Sequence, residues 1–512
     1  MLGTMTIPVL NASQAAEWDD RARTRALIPS RVLMEAAGRA VAAAAAREYP
    51  AALGVGVLVA AGPGNNGGDG WVAARALAAL GVRVWVAETD RERSPDCDAN
   101  RTLALADGVT LLDPAGEWPA AGVVIDALLG TGASGAPRGA VGELAARVAA
   151  HAGPVVAVDG PTGLDLTSGE AHGPVRASLT VTFGGARRGH LLQRDWCGAV
   201  AIADIGFPPP VAEWPALFTH DDARRLLPPF HADMHKGERG HVVVIGGAEG
   251  MAGAALHAAS AAFAAGAGIV KVAAHATTVQ AAQAMLPDAL TVTTALGPDV
   301  EPDLADAIAW AHAVILGPGF GRGAQRSAFV RAVLERVAVP IVIDADALHA
   351  GHDAFGAGSA PRVFTPHPGE FRTAFPDLAP LLAEDRFAAA SSASSPATTV
   401  LLKGVPTVIA SAERVLSVVA TGNPALATGG SGDLLAGFIA GFLARGLDPH
   451  DAAGLGAYTL GRAAELASER LTVRATRPAD VLASVPELWR RLASPPPVTP
   501  PFLYELPAPA LI

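Results

Sequence analysis

Two glycine-rich turns in this chain carry residues whose types and spacing could do chemistry: GPGNNGGDG at 62–70 and GNPALATGGSGDLLAG at 422–437. In the first, Gly62, Gly64 and Gly67 satisfy a G-x-G-x-x-G pattern. It lies between an apolar run at 55–61 and a helical pattern at 71–80, the setting of a dinucleotide loop. A further strand-like run at 82–87 ends at Glu88, about where a ribose-binding acid is expected. Asp69 argues against a plain pyrophosphate cradle, because a carboxylate at a helix entrance repels the anion that free N–H groups would attract. Asn65 and Asn66 add amide oxygens that such a cradle does not need; a glycine turn without a ligand is the simpler alternative. In the second stretch, Gly429, Gly430 and Gly432 precede a helix expected from about Leu434, so backbone N–H groups would face an anion beside Asp433. A carboxylate there can take the proton of a hydroxyl that attacks a phosphoryl group. As a helix cap alone it would do no chemistry.

Other turns add polar groups. DALLGTGASGAPRG at 126–139 and DGPTGLD at 159–165 follow apolar runs. Asn66, Asp126 and Thr162 offer hard oxygens suited to a cation, which would offset a nearby pyrophosphate, and the glycines of 130–136 can bring N–H groups to a phosphate. Taken singly, Asp126 reads as a helix cap and Thr162 as a turn residue. In the second half, GPGFG (317–321) permits close ligand approach, TPHPGEF (365–371) places His367 and Glu370 around one turn, and KGVPT (403–407) could cradle a nucleotide. Asp344 and Asp346 in VIDADAL are candidates to organise water or magnesium, with a structural role as the alternative.

These turns need a scaffold that brings them together. From 55 to 205 six apolar runs alternate with alanine-rich helical stretches, and seven more follow from 241 to 411. This is the pattern of parallel sheets covered by helices, in which strand C-termini share one edge. The fold class expected is α/β, with two three-layer α/β/α domains, the first Rossmann-like. The prolines at 208–210 and 228–229 place the boundary, giving domains at 1–218 and 226–495. The stretch SSASSP (391–396) reads as a loop and the end of the chain, 496–512, as a proline-rich tail unable to pack as an element.

Composition excludes other classes. With 512 residues the chain exceeds one typical core, and its two cysteines, Cys97 and Cys197, rule out a disulfide framework. A formal charge of −11 opposes nonspecific nucleic-acid binding, and the apolar runs are too short to cross a bilayer. The first twenty residues show neither a basic leader nor an apolar signal core, so a cytoplasmic location is expected.

GPGNNGGDG, DALLGTG and DGPTGLD resemble the motifs of the NAD(P)H-hydrate epimerase family across about 7–218. The resemblance implies hydrate contacts from Asn65, Asn66, Gly67, Gly68 and Asp69, from Gly130, Thr131, Gly132, Ala133, Ser134, Gly135 and Ala136, and from Asp159. Asp159 is also the catalytic candidate, and Asn66, Asp126 and Thr162 would hold potassium. Two departures stand out. Thr162 replaces the usual serine but keeps its hydroxyl, whereas Arg187 or Arg188 stands where the family carries a lysine, and arginine is a poor general base.

HKGERGHVVVIGG, AAGAGIVKV, GPGFG, DADAL, TPHPGEF, LLKG and GGSGD together resemble the ADP-dependent NAD(P)H-hydrate dehydratase family, of ribokinase-like fold, across about 226–492. By this resemblance Lys403, Gly404, Val405, Pro406, Thr407 and Gly432 bind ADP or ATP. Ala254, Gly319, His367 and Asp433 bind the hydrate, with Asp433 as the catalytic base. The fusion implies repair of NADHX and NADPHX, with potassium and magnesium as cofactors and a homo-oligomeric state. A ribokinase-like small-molecule kinase with a regulatory N-terminal domain is the alternative enzyme, and a binding module that has lost epimerisation is the alternative for the first half.

Overall fold

The structure is a computed structural model that describes residues 6–351, 355–494 and 500–510. It divides into two compact units at Pro215/Ala216, and the segment near the C-terminus belongs to the first. Both units are α/β with parallel-dominated sheets, as expected, and all thirteen expected runs contain strands.

The first unit is built on an eight-stranded sheet. Its spatial order is Phe502–Leu506, Ala199–Ala203, Leu179–Phe183, Val155–Val158, Val123–Ala127, Val57–Ala61, Val84–Glu88 and Thr110–Leu112. All neighbours pair in parallel except Phe502–Leu506. The central strands are buried at every position, which explains their unbroken apolar sequences: helices cover both faces.

The helix expected from Trp71 begins earlier, spanning Asn65–Ala79, so NNGGDG forms its first turns. Its glycines are there for contact. A Cβ on Gly67 would lie 1.9 Å from the carbonyl oxygen of Gly62, and one on Gly70 would lie 2.5 Å from Ala127 Cβ. Each helical glycine costs about 1 kcal/mol relative to alanine, less than overlap with a strand.

The expectation for the chain's end is corrected. FLYEL at 502–506 forms an antiparallel edge strand on Ala199–Ala203, Phe502 enters the core of the first unit, and Pro501 O accepts a hydrogen bond from Asp204 N–H at 2.7 Å. Proline composition hid a short strand because an edge strand tolerates flanking prolines, and covering the sheet edge makes the pairing favourable.

The second unit carries a ten-stranded sheet. In spatial order it reads Ala216–Leu217, Ser417–Val419, Thr407–Ala410, Thr398–Leu402, Arg362–Phe364, Ile341–Ile343, Ala313–Leu316, His241–Ile245, Ile269–Ala274 and Leu290–Thr293. From Thr398–Leu402 to Leu290–Thr293 every pairing is parallel. The helix Ser431–Ala444 is buried from Leu434 to its end and packs on Ala252–Ala264. Gly437 permits that approach, since its Cβ would lie 2.2 Å from Ala258 O. Phe438 and Phe442 are fully buried in the layer it helps form, each contributing about 1.5–3 kcal/mol. The stretch expected as a loop at 391–396 is partly helical, because the helix Arg386–Ala393 runs into it. No helix among the described residues is long and apolar enough to cross a membrane.

Candidate active sites

In the first unit, the loops after Val57–Ala61, Val123–Ala127, Val155–Val158 and Leu179–Phe183 leave one sheet edge. Asp126, the last residue but one of its strand, is fully buried. It accepts hydrogen bonds from Thr162 N–H and Oγ1, both at 2.8 Å, and from Leu128 N–H at 3.3 Å. Burial pushes its carboxyl up to about 6 despite these donors. Asn66 lies across Gly130: a Cβ on that glycine would sit 3.0 Å from both Asn66 Oδ1 and Asp159 Oδ2. Glycine is needed there to let the amide and the carboxylate approach one another.

Asp159 holds a left-handed backbone, φ 62°, which costs a non-glycine residue about 1–3 kcal/mol. Its carboxylate accepts from Thr131 N–H at 2.8 Å, from Thr131 Oγ1 and from Thr182 Oγ1 at 3.1 Å, and pairs with Arg187 Nη2 at 3.3 Å. Burial alone would raise its pKa; the Arg187 charge and the Thr131 hydrogen bonds overcome that and lower it. Arg187 is itself buried, and its Nε donates to Thr131 Oγ1 at 2.9 Å. Its backbone is fixed by parallel pairing with Leu10.

His190, which no motif singled out, ties this pair together. Its Nδ1 accepts from Arg187 N–H at 3.1 Å and its Nε2 lies 2.7 Å from Asp159 O. An accepting Nδ1 leaves the proton on Nε2, which donates to the strained residue's carbonyl. Burial lowers its pKa to about 4, so the ring stays neutral at ordinary pH.

In the second unit Gly432 and Asp433 lie in the first turn of Ser431–Ala444, three residues earlier than the expected helix start. A Cβ on Gly432 would sit 3.4 Å from Lys403 Nζ and 3.7 Å from Asp344 Oδ2, so the helix N-terminus abuts a charge network. Lys403 Nζ reaches Asp344 Oδ1 at 3.0 Å and Glu370 Oε2 at 3.4 Å, and Thr365 Oγ1 donates to Asp344 at 2.7 Å. Burial first, then the neighbouring charge of Asp344, raises Asp433 to about 6, with Lys403 opposing. A carboxylate of that basicity is a proton acceptor at neutral pH, next to a lysine and a helix N-terminus that favour phosphate.

Residues 30–189 match the family described as YjeF-related protein N-terminus, and residues 242–487 match that of NAD(P)H-hydrate dehydratase. The bifunctional NAD(P)H-hydrate repair enzyme of Moorella thermoacetica is 36% identical, covering 94% of this chain and 97% of its own length. The chain belongs to the bifunctional NAD(P)H-hydrate repair enzyme family. The Escherichia coli member is 32% identical over 84% of each chain. The solved ADP/ATP-dependent NAD(P)H-hydrate dehydratase of Bacillus subtilis, co-crystallised with ATP and Mg2+, matches with a TM-score of 0.50 and 29% identity, over 54% of this chain and 98% of its own. This repair enzyme is thus an isomerase joined to a lyase, as the two sets of motifs implied.

Within the repair enzyme, the structure brings Asn66, Asp126, Gly130, Thr131, Asp159 and Thr162 into one hydrogen-bonded neighbourhood. Asn65 turns aside, its Oδ1 3.1 Å from Ser94 Oγ. Gly67 and Gly68 are buried spacers, while Gly132, Ser134, Gly135 and Ala136 are exposed and Ala133 half-buried in the loop. Asp69 is raised well above the usual carboxylate range, by burial first and then by Asp159. Glu88 pairs with Arg101 and Arg93, which removes it as a ribose acid. In the second unit Gly319 meets Ala254, whose Cβ would lie 3.1 Å from a Cβ on the glycine. His367 is a helix cap whose Nδ1 accepts from Gly369 and Glu370 N–H at 2.9 and 3.3 Å. Nε2 is left for other partners and sits 3.6 Å from Glu370 Oε1. Thr182 and His190 were missed because a strand threonine and a lone histidine carry no sequence signal; only their distance to Asp159 marks them.

Proposed function

We propose that Asp159, paired with Arg187 and Thr131, handles the proton in interconversion of the R and S hydrates, and that Asp433 drives nucleotide-dependent dehydration of the S form. The observation that carries the second reading is the half-buried Asp433 carboxyl, raised to about 6, in the first turn of a helix beside Lys403. Asp433 accepts the proton of the C6 hydroxyl as the hydroxyl oxygen attacks the terminal phosphoryl of ADP or ATP; a bond forms between phosphorus and the C6 oxygen and the one to the departing nucleotide's bridging oxygen breaks, giving AMP from ADP. The ring nitrogen's lone pair then expels phosphate, and loss of a proton from C5 restores NAD(P)H. Lys403, Gly404, Val405, Pro406, Thr407 and Gly432 take the nucleotide, and Ala254, Gly319 and His367 take the hydrate. The ATP and Mg2+ co-crystallised with the Bacillus subtilis relative support an adenine nucleotide as co-substrate.

The oxygens of Asn66, Asp126 and Thr162 suit potassium. Asp126 is fully buried and accepts from the neutral groups of Leu128 and Thr162, so its charge is left for a cation to offset, whereas the unpartnered Asn66 Nδ2 is a donor that calls for an acceptor such as a phosphate oxygen. The ion would supply a fixed positive charge beside a pyrophosphate. A resident magnesium fits less well. Both Asp346 oxygens are engaged, by Gly321 N–H at 2.9 Å and Arg322 Nε at 3.0 Å, and the described residues contain no group of three His, Cys, Asp or Glu able to hold a metal. Magnesium enters this reading as the counter-ion of the nucleotide. A homo-oligomer in the cytoplasm completes the proposal.

The test is the intact chain on mixed hydrate epimers with ADP or ATP, repeated with Asp433→Asn. The expected result is recovery of reduced-nicotinamide absorbance with release of phosphate, lost by at least about a hundred-fold in the variant. A stable phosphorylated product would instead favour a kinase, and full activity in the variant would remove Asp433 from the mechanism.

A further inference from the structure

The turn at 403–407 is gripped from behind by a residue that none of the glycine or acidic motifs reveals. Arg386 opens the helix Arg386–Ala393, whose N-terminus is fixed by Asp385 Oδ1 accepting from Phe387 and Ala388 N–H at 2.8 and 3.2 Å. Its Nη1 donates to Val405 O at 2.9 Å and its Nη2 to Lys403 O at 3.0 Å, bracketing Gly404. Gly404 has φ 143°, and a Cβ there would lie 2.5 Å from Arg386 Nη2. Glycine suits this φ, and its missing Cβ leaves the guanidinium room against the turn.

The consequence follows from peptide geometry. In a planar trans peptide C=O and N–H point in opposite directions, so drawing the Lys403 carbonyl toward Arg386 turns Gly404 N–H to the other side. Lys403 N–H is itself held by Pro366 O at 2.8 Å, and the ammonium by Asp344 and Glu370. Burial lowers the Arg386 pKa to about 10, which leaves it charged at neutral pH. Both of its hydrogen bonds to the turn are therefore charge-assisted.

We propose that Arg386 is a positioning residue for the adenine nucleotide, holding the 403–407 turn so that Gly404 N–H and Lys403 face the phosphates. This rests on the nucleotide reading of that turn. The experiment compares the intact chain with Arg386→Gln, Arg386→Lys and Arg386→Ala, varying ATP and the hydrate separately. The expected result is a KM for ATP raised about ten-fold or more in the Gln variant, with kcat within about two-fold and the KM for hydrate unchanged. The Lys variant, which cannot donate to both carbonyls in a fork, should be intermediate, and added guanidinium should lower the KM for ATP in the Ala variant. If the Gln variant does not fold, the Lys and Ala variants carry the same comparison. An unaltered KM for ATP, or equal rises for both substrates, would overturn the proposal while the nucleotide reading stands. Wild-type turnover that fails to saturate with either ADP or ATP would overturn both.

Discussion

The ionisation of single side chains separates the two sites. Asp433 is held up at about 6, so its proton-accepting form exists above that pH; with Asp433 as the proposed base, dehydration should rise with pH through about 6, read as kcat/KM against pH. The sign for stability is opposite. A carboxyl whose folded pKa exceeds its unfolded value costs stability once ionised, so the penalty is fully present above about 6 and vanishes below the unfolded value. Asp433→Asn should therefore stabilise the second unit by about 1–2 kcal/mol at pH 8, allowing for its partial exposure, with little gain at pH 4. Asp159 behaves conversely. Arg187 and Thr131 lower its pKa, so its contribution is present above the unfolded value and lost as pH falls through the folded one. Arg187→Gln should shift the acidic limb of epimerisation to higher pH, because a buried carboxylate without its cation protonates more easily. An unmoved limb would show that Asp159 is not the titrating group.

Among the elements, the edge strand Phe502–Leu506 makes the clearest prediction. It is the outermost strand of the first unit's sheet, and Arg47 lies over the Phe502 ring at 4.6 Å while also pairing with Glu505. Removing 500–512 would expose the Ala199–Ala203 edge and the core that Phe502 covers. Hydrogen exchange at the amides of 199–203 should then accelerate, with the first unit destabilised by about 2–4 kcal/mol and more prone to aggregate. Exchange rates equal to the wild type would mean that the strand does not protect that edge. For the same reason a fragment ending at 218 understates what the first unit does, since it lacks its last strand. The helix Ser431–Ala444 offers a second check at this scale: Gly437→Val would drive a side chain into Ala258 O and should lower stability by about 2 kcal/mol or more, seen as a lower Tm of the second unit.

For the whole molecule, joining an isomerase to a lyase proposed to take only the S form has a kinetic signature. With Asp159→Asn, mixed hydrates should disappear in two phases, the S form at the wild-type rate and the remainder only as fast as uncatalysed epimerisation; the intact chain should consume both to completion. A single fast phase in the variant would remove Asp159 from epimerisation.

Much of this organisation was legible in the chain itself. Unbroken apolar runs mark strands buried on both faces, and polar turns after successive parallel strands must meet at one sheet edge, so the sequence alone groups Asn66, Asp126, Asp159 and Thr162. GGSGD placed Asp433 at a helix entrance because glycine and aspartate there have few other uses. Local pattern could not supply what depends on distance. His190 and Arg386 act through carbonyls thirty-one and about seventeen to nineteen residues away in sequence, and backbone carbonyls carry no residue code. The strand at 502–506 was hidden by its prolines, since pairing depends on a partner edge some three hundred residues earlier. Sequence fixes which groups are available and which sheet edge they share; packing alone decides which are buried together, and burial sets their charge.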